Sequence, residues 1–130
     1  WSLQFYNRVA YHAFEGIALD LAERDRLVTD LGPTMRALIL RNHGLVTLGR
    51  TVAEAFILMH NLERACKVQL AIQASGQPVH PVPHEVAERT ALQYESGSNK
   101  RLPGQPDPNA REWRGFLKRL EPGAPSSFRD

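Results

Sequence analysis

The five histidines of this chain are its most versatile chemical groups near neutral pH, and their surroundings set them apart. His43 lies in Arg41-Asn42-His43-Gly44, a polar break between two short apolar runs. A histidine there is either a metal ligand or a polar turn residue, and the spacing alone leaves both open. Gly44 would let the chain turn tightly beside the imidazole. His60 and Glu63 stand one helical turn apart, a spacing that can chelate metal, although a packing contact or a helix-face hydrogen bond explains the pair equally well. His80-Pro81-Val82-Pro83-His84 places two histidines close together, but proline holds that backbone extended and keeps both rings from closing on one ion. His12, beside Tyr11, reads as structural. Glu15 is a lone carboxylate that could face a site, and it is assigned no role. The chain has no Gly-rich phosphate loop, Ser/His/Asp arrangement or Cys/His cluster, so no catalytic residue is assigned.

The elements around His43 follow from periodicity. Ala37-Leu38-Ile39-Leu40 and Leu45-Val46-Thr47-Leu48 flank the polar break and predict strand, turn, strand. Thr51-Val52-Ala53-Glu54 then matches a capping box, in which Thr51 accepts from the N3 amide and Glu54 reaches back to the Thr51 amide. Apolar residues at Val52, Ala55, Phe56, Met59, Leu62, Ala65 and Cys66 form one stripe. This predicts a helix ending at Ser75-Gly76 and roughly 35 Å long, with Glu63 and Lys67 as a favourable i,i+4 pair. Leu19 to Leu31 predicts an earlier helix stopped by Gly32-Pro33. Residues Leu3 to Tyr11 fit a short helix or a strand. A weaker helix is expected from Glu85 to about Tyr94, a flexible loop over 95–109, a last helix over roughly Ala110 to Leu120, and an extended tail over 121–130. Trp113, Phe116, Leu117 and Leu120 share a face of the last helix, expected to point into the core.

Composition narrows the function classes. A chain of 130 residues with 42% apolar and 23% charged residues is that of one globular domain. A net charge of +2, spread without a basic block, argues against nucleic acid as a partner. No apolar run approaches the ~18–20 residues that span a bilayer, so no membrane partner is expected. The one cysteine, Cys66, excludes an internal disulfide, which fits a cytoplasmic protein, and it reads as a small buried hydrophobe.

At this point the pattern is familiar. Leu38-Ile39-Leu40-Arg41-Asn42-His43-Gly44-Leu45-Val46-Thr47-Leu48-Gly49, followed by Thr51-Val52-Ala53-Glu54-Ala55, resembles the class II aldolase/adducin family. Arg8 to His12, Phe14-Glu15-Gly16 and Leu62 to Gln69 fit it as well. The resemblance implies an α/β fold: a three-layer α/β/α domain around a largely antiparallel sheet. It also implies a divalent metal, usually zinc, held by three histidines, two from a His-x-His motif and the third from the His-Gly step, here His43. In such enzymes the metal stabilises an enediolate while a carbon–carbon bond of a small sugar, sugar phosphate or sugar acid breaks or forms. Related members are epimerases and decarboxylases, and homotetramers are common.

This chain departs from the family by having no His-x-His before His43. It is therefore expected to be the C-terminal portion, over 1–130, of one such domain, with its sheet incomplete. A catalytic zinc site needs three protein ligands, so the chain alone is expected to hold no metal and to be inactive. The alternative is an adducin-like, non-catalytic scaffold that keeps the fold without the metal. Retention of His43 weighs against it, and nothing in these residues supports actin binding.

Overall fold

The computed structural model describes residues 1–16, 21–99 and 108–118. A 3-10 turn over Ser2–Phe5 leads into strand β1, Val9–His12. Helix α1, Leu21–Leu31, follows. It stops at Gly32, whose φ of 64° is the left-handed geometry glycine favours, with the Gly32 amide donating to the Val28 carbonyl at 3.1 Å. Strand β2 spans Ala37–Leu40 and β3 spans Gly44–Thr47. The sheet order is β1-β2-β3, with β1 parallel to β2 and β2 antiparallel to β3. The chain passes through α1 between β1 and β2, which is how a parallel neighbour is reached. The described sheet is thus mixed, where the sequence led us to expect mostly antiparallel pairing. The outer edge of β1 has no strand partner among the described residues.

Helix α2 runs Val52–Ala74 with Thr51 as its N-cap, the hydroxyl accepting from the Glu54 amide at 3.1 Å. The other half of the expected capping box is displaced by one residue. Glu54 accepts from the Arg50 amide at 2.7 Å, not from that of Thr51, and its second oxygen accepts from Arg36 at 2.8 Å. The two arginines draw the carboxylate across the strand-to-helix turn. Gly49 makes this turn possible, since a Cβ there would collide with the Ala55 nitrogen and the Glu54 carbonyl carbon.

The core side of α2 keeps Leu62, Ala65 and Cys66 of the expected stripe and departs from it in the first turns. There Glu54 and Ile57 are buried, while Val52 and Phe56 are exposed. Arg36 and Arg50 pair with the buried Glu54 carboxylate. Leu62 joins Phe5 and Ala37 in the core, with Val9, Leu45, Leu58, Ala65 and Cys66 packed around them. Cys66 is half-buried at the edge of this cluster rather than fully inside it.

Helix α3 covers His84–Asn99 and runs past Tyr94, where a loop was expected. Ser96 satisfies itself by donating to the Leu92 carbonyl at 2.7 Å, so polar composition does not end the helix. Helix α4 covers Pro108–Leu117 and takes up the last residues of the expected 95–109 loop. Residues 100–107 and the tail 121–130 lie outside the described residues. Trp113 and Phe116 pack edge-on against Phe56, with ring centroids 4.8 and 5.1 Å apart. Trp113 and Phe116 therefore point inward, as their spacing predicts, while Leu117 is exposed and Leu120 lies outside the described residues.

Candidate functional site

His43 stands at the tip of the β2–β3 hairpin. The register pairs Leu40 with Gly44, leaving Arg41, Asn42 and His43 as the loop. The His43 amide donates to the Leu40 carbonyl at 3.0 Å, and the Arg41 amide donates to the His12 carbonyl at 3.0 Å. The loop is thereby tied to both neighbouring strands. The left-handed residue that closes it is Asn42, with φ 57°, a geometry Asn tolerates better than most residues. Gly44, to which the sequence assigned the tight turn, is the first residue of β3, and a Cβ there would meet nothing within 4 Å. The imidazole of His43 is exposed and meets Phe14 edge to face, centroids 6.2 Å apart.

The described residues contain one group of His, Cys, Asp or Glu side chains close enough to share an ion, and His43 is not in it. The group is His12, Glu15 and Glu23. At the hairpin tip this chain therefore offers one accessible imidazole, which fits a contribution of one ligand to a site completed by other residues.

The His12 group gathers at the end of β1. His12 is buried, and its Nδ1 lies 2.7 Å from Asp30 Oδ2. Glu15 accepts from Arg26 Nε at 2.9 Å. Glu23 and Asp30 come from α1, seven residues apart and so on one helix face. Sequence reading gave His12 a structural role and left Glu15 alone. The overlooked signal was the pair of carboxylates two turns apart on α1, though nothing in the sequence says that this face meets β1.

The other histidines fill structural places. His60 packs on Phe116 at 4.8 Å, while Glu63 pairs with Lys67 at 2.7 Å. His84 Nδ1 bonds with the Tyr6 hydroxyl at 2.8 Å. A cavity of about 510 Å³ lies at the opposite end of β2 from the hairpin, with Arg8, Arg36, Glu54 and Glu95 among its lining residues.

Comparison with known proteins identifies the family. Residues 1–70 match the family described as Class II Aldolase and Adducin N-terminal domain; the chain belongs to that family. It is 42% identical over 85 residues to a Pseudomonas aeruginosa protein described as aldolase class 2, covering 65% of this chain and 32% of that protein. It is 49% identical over 68 residues to alpha-adducin of Rattus norvegicus, covering 52% of this chain and 9% of that protein. Among solved structures, an aldolase II superfamily protein from Pseudomonas syringae superposes with a TM-score of 0.74 and 43% identity, over 92% of this chain and 44% of that one. L-fuculose 1-phosphate aldolase from Glaciozyma antarctica PI12 superposes with a TM-score of 0.63 and 26% identity, over 89% of this chain and 39% of that one. The fold is thus the α/β fold of the class II aldolases, with three strands of its sheet among the described residues. The chain spans less than half the length of each of these relatives.

Proposed function

We propose that this chain is the part of a divalent-metal-dependent class II aldolase-like enzyme that contributes His43 as one metal ligand. The observation that carries this is the hairpin tip, where an accessible imidazole is held by backbone bonds to β1 and β2. A ligand needs that fixed position, whereas an ordinary polar turn residue does not. The ion is zinc or another divalent metal. When bound, it supplies Lewis-acid stabilisation of negative charge on substrate oxygens.

The residues of this chain then have separable parts. His43 offers a nitrogen at the mouth of the site. Asn42 sets the direction of the loop, and Phe14 limits rotation of the His43 ring. The reaction is aldehyde-lyase chemistry, or the related epimerase or decarboxylase chemistry, on a small sugar, sugar phosphate or sugar acid. Likeness to an L-fuculose 1-phosphate aldolase supports a sugar phosphate. The working protein is a cytoplasmic homotetramer, and the chain by itself is inactive because one imidazole does not complete a catalytic zinc site. No described helix is long and apolar enough to cross a membrane.

A second reading is favoured by the 49% identity to alpha-adducin: a non-catalytic scaffold on the same fold. Cleavage assays on the complete protein, with a panel of ketose 1-phosphates, separate the two. The enzyme reading expects cleavage that a chelator abolishes and zinc restores. It also expects His43→Ala to lower kcat/KM by at least about a hundredfold, or ~2.7 kcal/mol, with unchanged circular dichroism. A complete protein that neither binds metal nor turns over any member of the panel, or its epimerised or decarboxylated counterpart, is the scaffold.

A further inference from the structure

The end of β1 holds a second arrangement with ligand chemistry. His12 is only 3% exposed, and its Nδ1 faces the Asp30 carboxylate at 2.7 Å. A carboxylate accepts hydrogen bonds, so in the neutral imidazole Nδ1 carries the hydrogen and Nε2 presents a lone pair. Nε2 has no hydrogen-bond partner. It lies 3.8 Å from Glu15 Oε1 and 3.8 Å from Glu23 Oε1, and the three ligand atoms all fall within 4.8 Å of one another. Three possible ligand atoms thus surround one gap that a cation could occupy.

A proton on Nε2 does not close that gap, because 3.8 Å is too long for an N–H···O bond. A metal ion comes closer. Two ligands each ~2.1 Å from a tetrahedral ion stand roughly 3.4 Å apart, a few tenths of an ångström inside the two distances from His12 Nε2. Binding would draw the Glu15 and Glu23 carboxylates inward.

We propose that His12, Glu15 and Glu23 form a binding site for a first-row divalent cation of the zinc class, separate from the site to which His43 contributes. One imidazole with two carboxylates suits zinc, cobalt or manganese better than calcium or magnesium, which take oxygen ligands. The Asp30–His12 bond is the usual support of a metal-bound histidine, fixing its tautomer and raising its basicity. Arg26 both steadies Glu15 and competes for it, since its Nε also reaches Oε1 at 3.0 Å. The ion would join α1 to the end of β1, across the strand that neighbours the hairpin. This departs from the expectation that the chain alone holds no metal, and it does not rest on the role of His43.

The test is a titration of the metal-stripped full chain with Co²⁺, whose visible absorption reports the ligand set, followed by displacement with Zn²⁺. The His43→Ala variant serves as the background, so that only this site is read. Loss of even an outer supporting group weakens metal sites by about 10–100-fold, so Glu23→Gln in that background is expected to weaken Co²⁺ binding by at least about tenfold and to shift the absorption bands. His12→Gln is expected to abolish both. If His12→Gln does not fold by circular dichroism, Glu23→Gln decides, because Glu23 lies on the outer helix α1. Absence of Co²⁺ binding by the His43→Ala protein overturns the proposal, and so does binding that Glu23→Gln leaves unchanged.

Discussion

His43 owes its position to residues that touch no ion. Asn42 holds the left-handed conformation at φ 57°, which a β-branched residue adopts only with strain of about 1–2 kcal/mol. Asn42→Val is therefore expected to destabilise the hairpin by about that amount, and Asn42→Gly to leave it nearly unchanged, as read by thermal unfolding. Glu54 matters in the same way at the other end of the hairpin. Burial at 3% exposure would raise its pKa, but the Arg50 amide and guanidinium, with Arg36, outweigh burial and hold it below the usual carboxylate value. A lowered folded-state pKa stabilises the protein above the unfolded value, near 4.3, and that stability is lost as pH falls through the folded value. Glu54→Gln is expected to cost about 2 kcal/mol at pH 7 and to flatten the stability profile below pH ~4.3. Denaturant midpoints across that range check it, and an unchanged profile contradicts the role given to Glu54.

Among the elements, the hairpin and the capped helix were legible because each repeats its own signal: two apolar runs around a polar break, and Thr51 followed by Glu54. What escaped was whatever depends on residues far apart in sequence. Arg36 reaches Glu54 across eighteen positions and pairs with its buried carboxylate, and periodicity carries no trace of that contact. The His12 cluster escaped for the same reason, since Glu23 and Asp30 become neighbours of His12 only when α1 docks on β1. His43 was singled out through the resemblance, its turn spacing alone being consistent with an ordinary polar residue. Helix α4 tests how well an apolar stripe foretells docking. It is held by Trp113 and Phe116 against Phe56 and His60. Phe116 is half-buried, so Phe116→Ala is expected to destabilise by about 1–2 kcal/mol, below the range for a fully buried ring. Hydrogen exchange is expected to show that loss first in α4 and only later in α2. Uniform loss across both helices would show that α4 is not a separate unit.

At the scale of the whole molecule, the N-terminal segment is clasped to α3 by charge. Arg8 meets Glu95 at 2.8 Å and Glu88 at 2.7 Å, and the hydrogen bond it donates to Glu95 leads the effects that raise its pKa. The outer end of α2 is left open: Val68, Leu70 and Ile72 are 47%, 65% and 38% exposed, as is the free edge of β1. Among the described residues these surfaces are uncovered, and the proposed assembly would use them. Light scattering on the complete protein is expected to give four chains per particle, and a monomer contradicts the proposed assembly. The central claim concerns the metal. Its most direct test is the zinc content of the complete protein, purified without chelator, beside that of a folded His43→Ala variant. Loss of one zinc per chain on substitution is the result expected of a ligand at the hairpin tip. Equal zinc in the two proteins would contradict it.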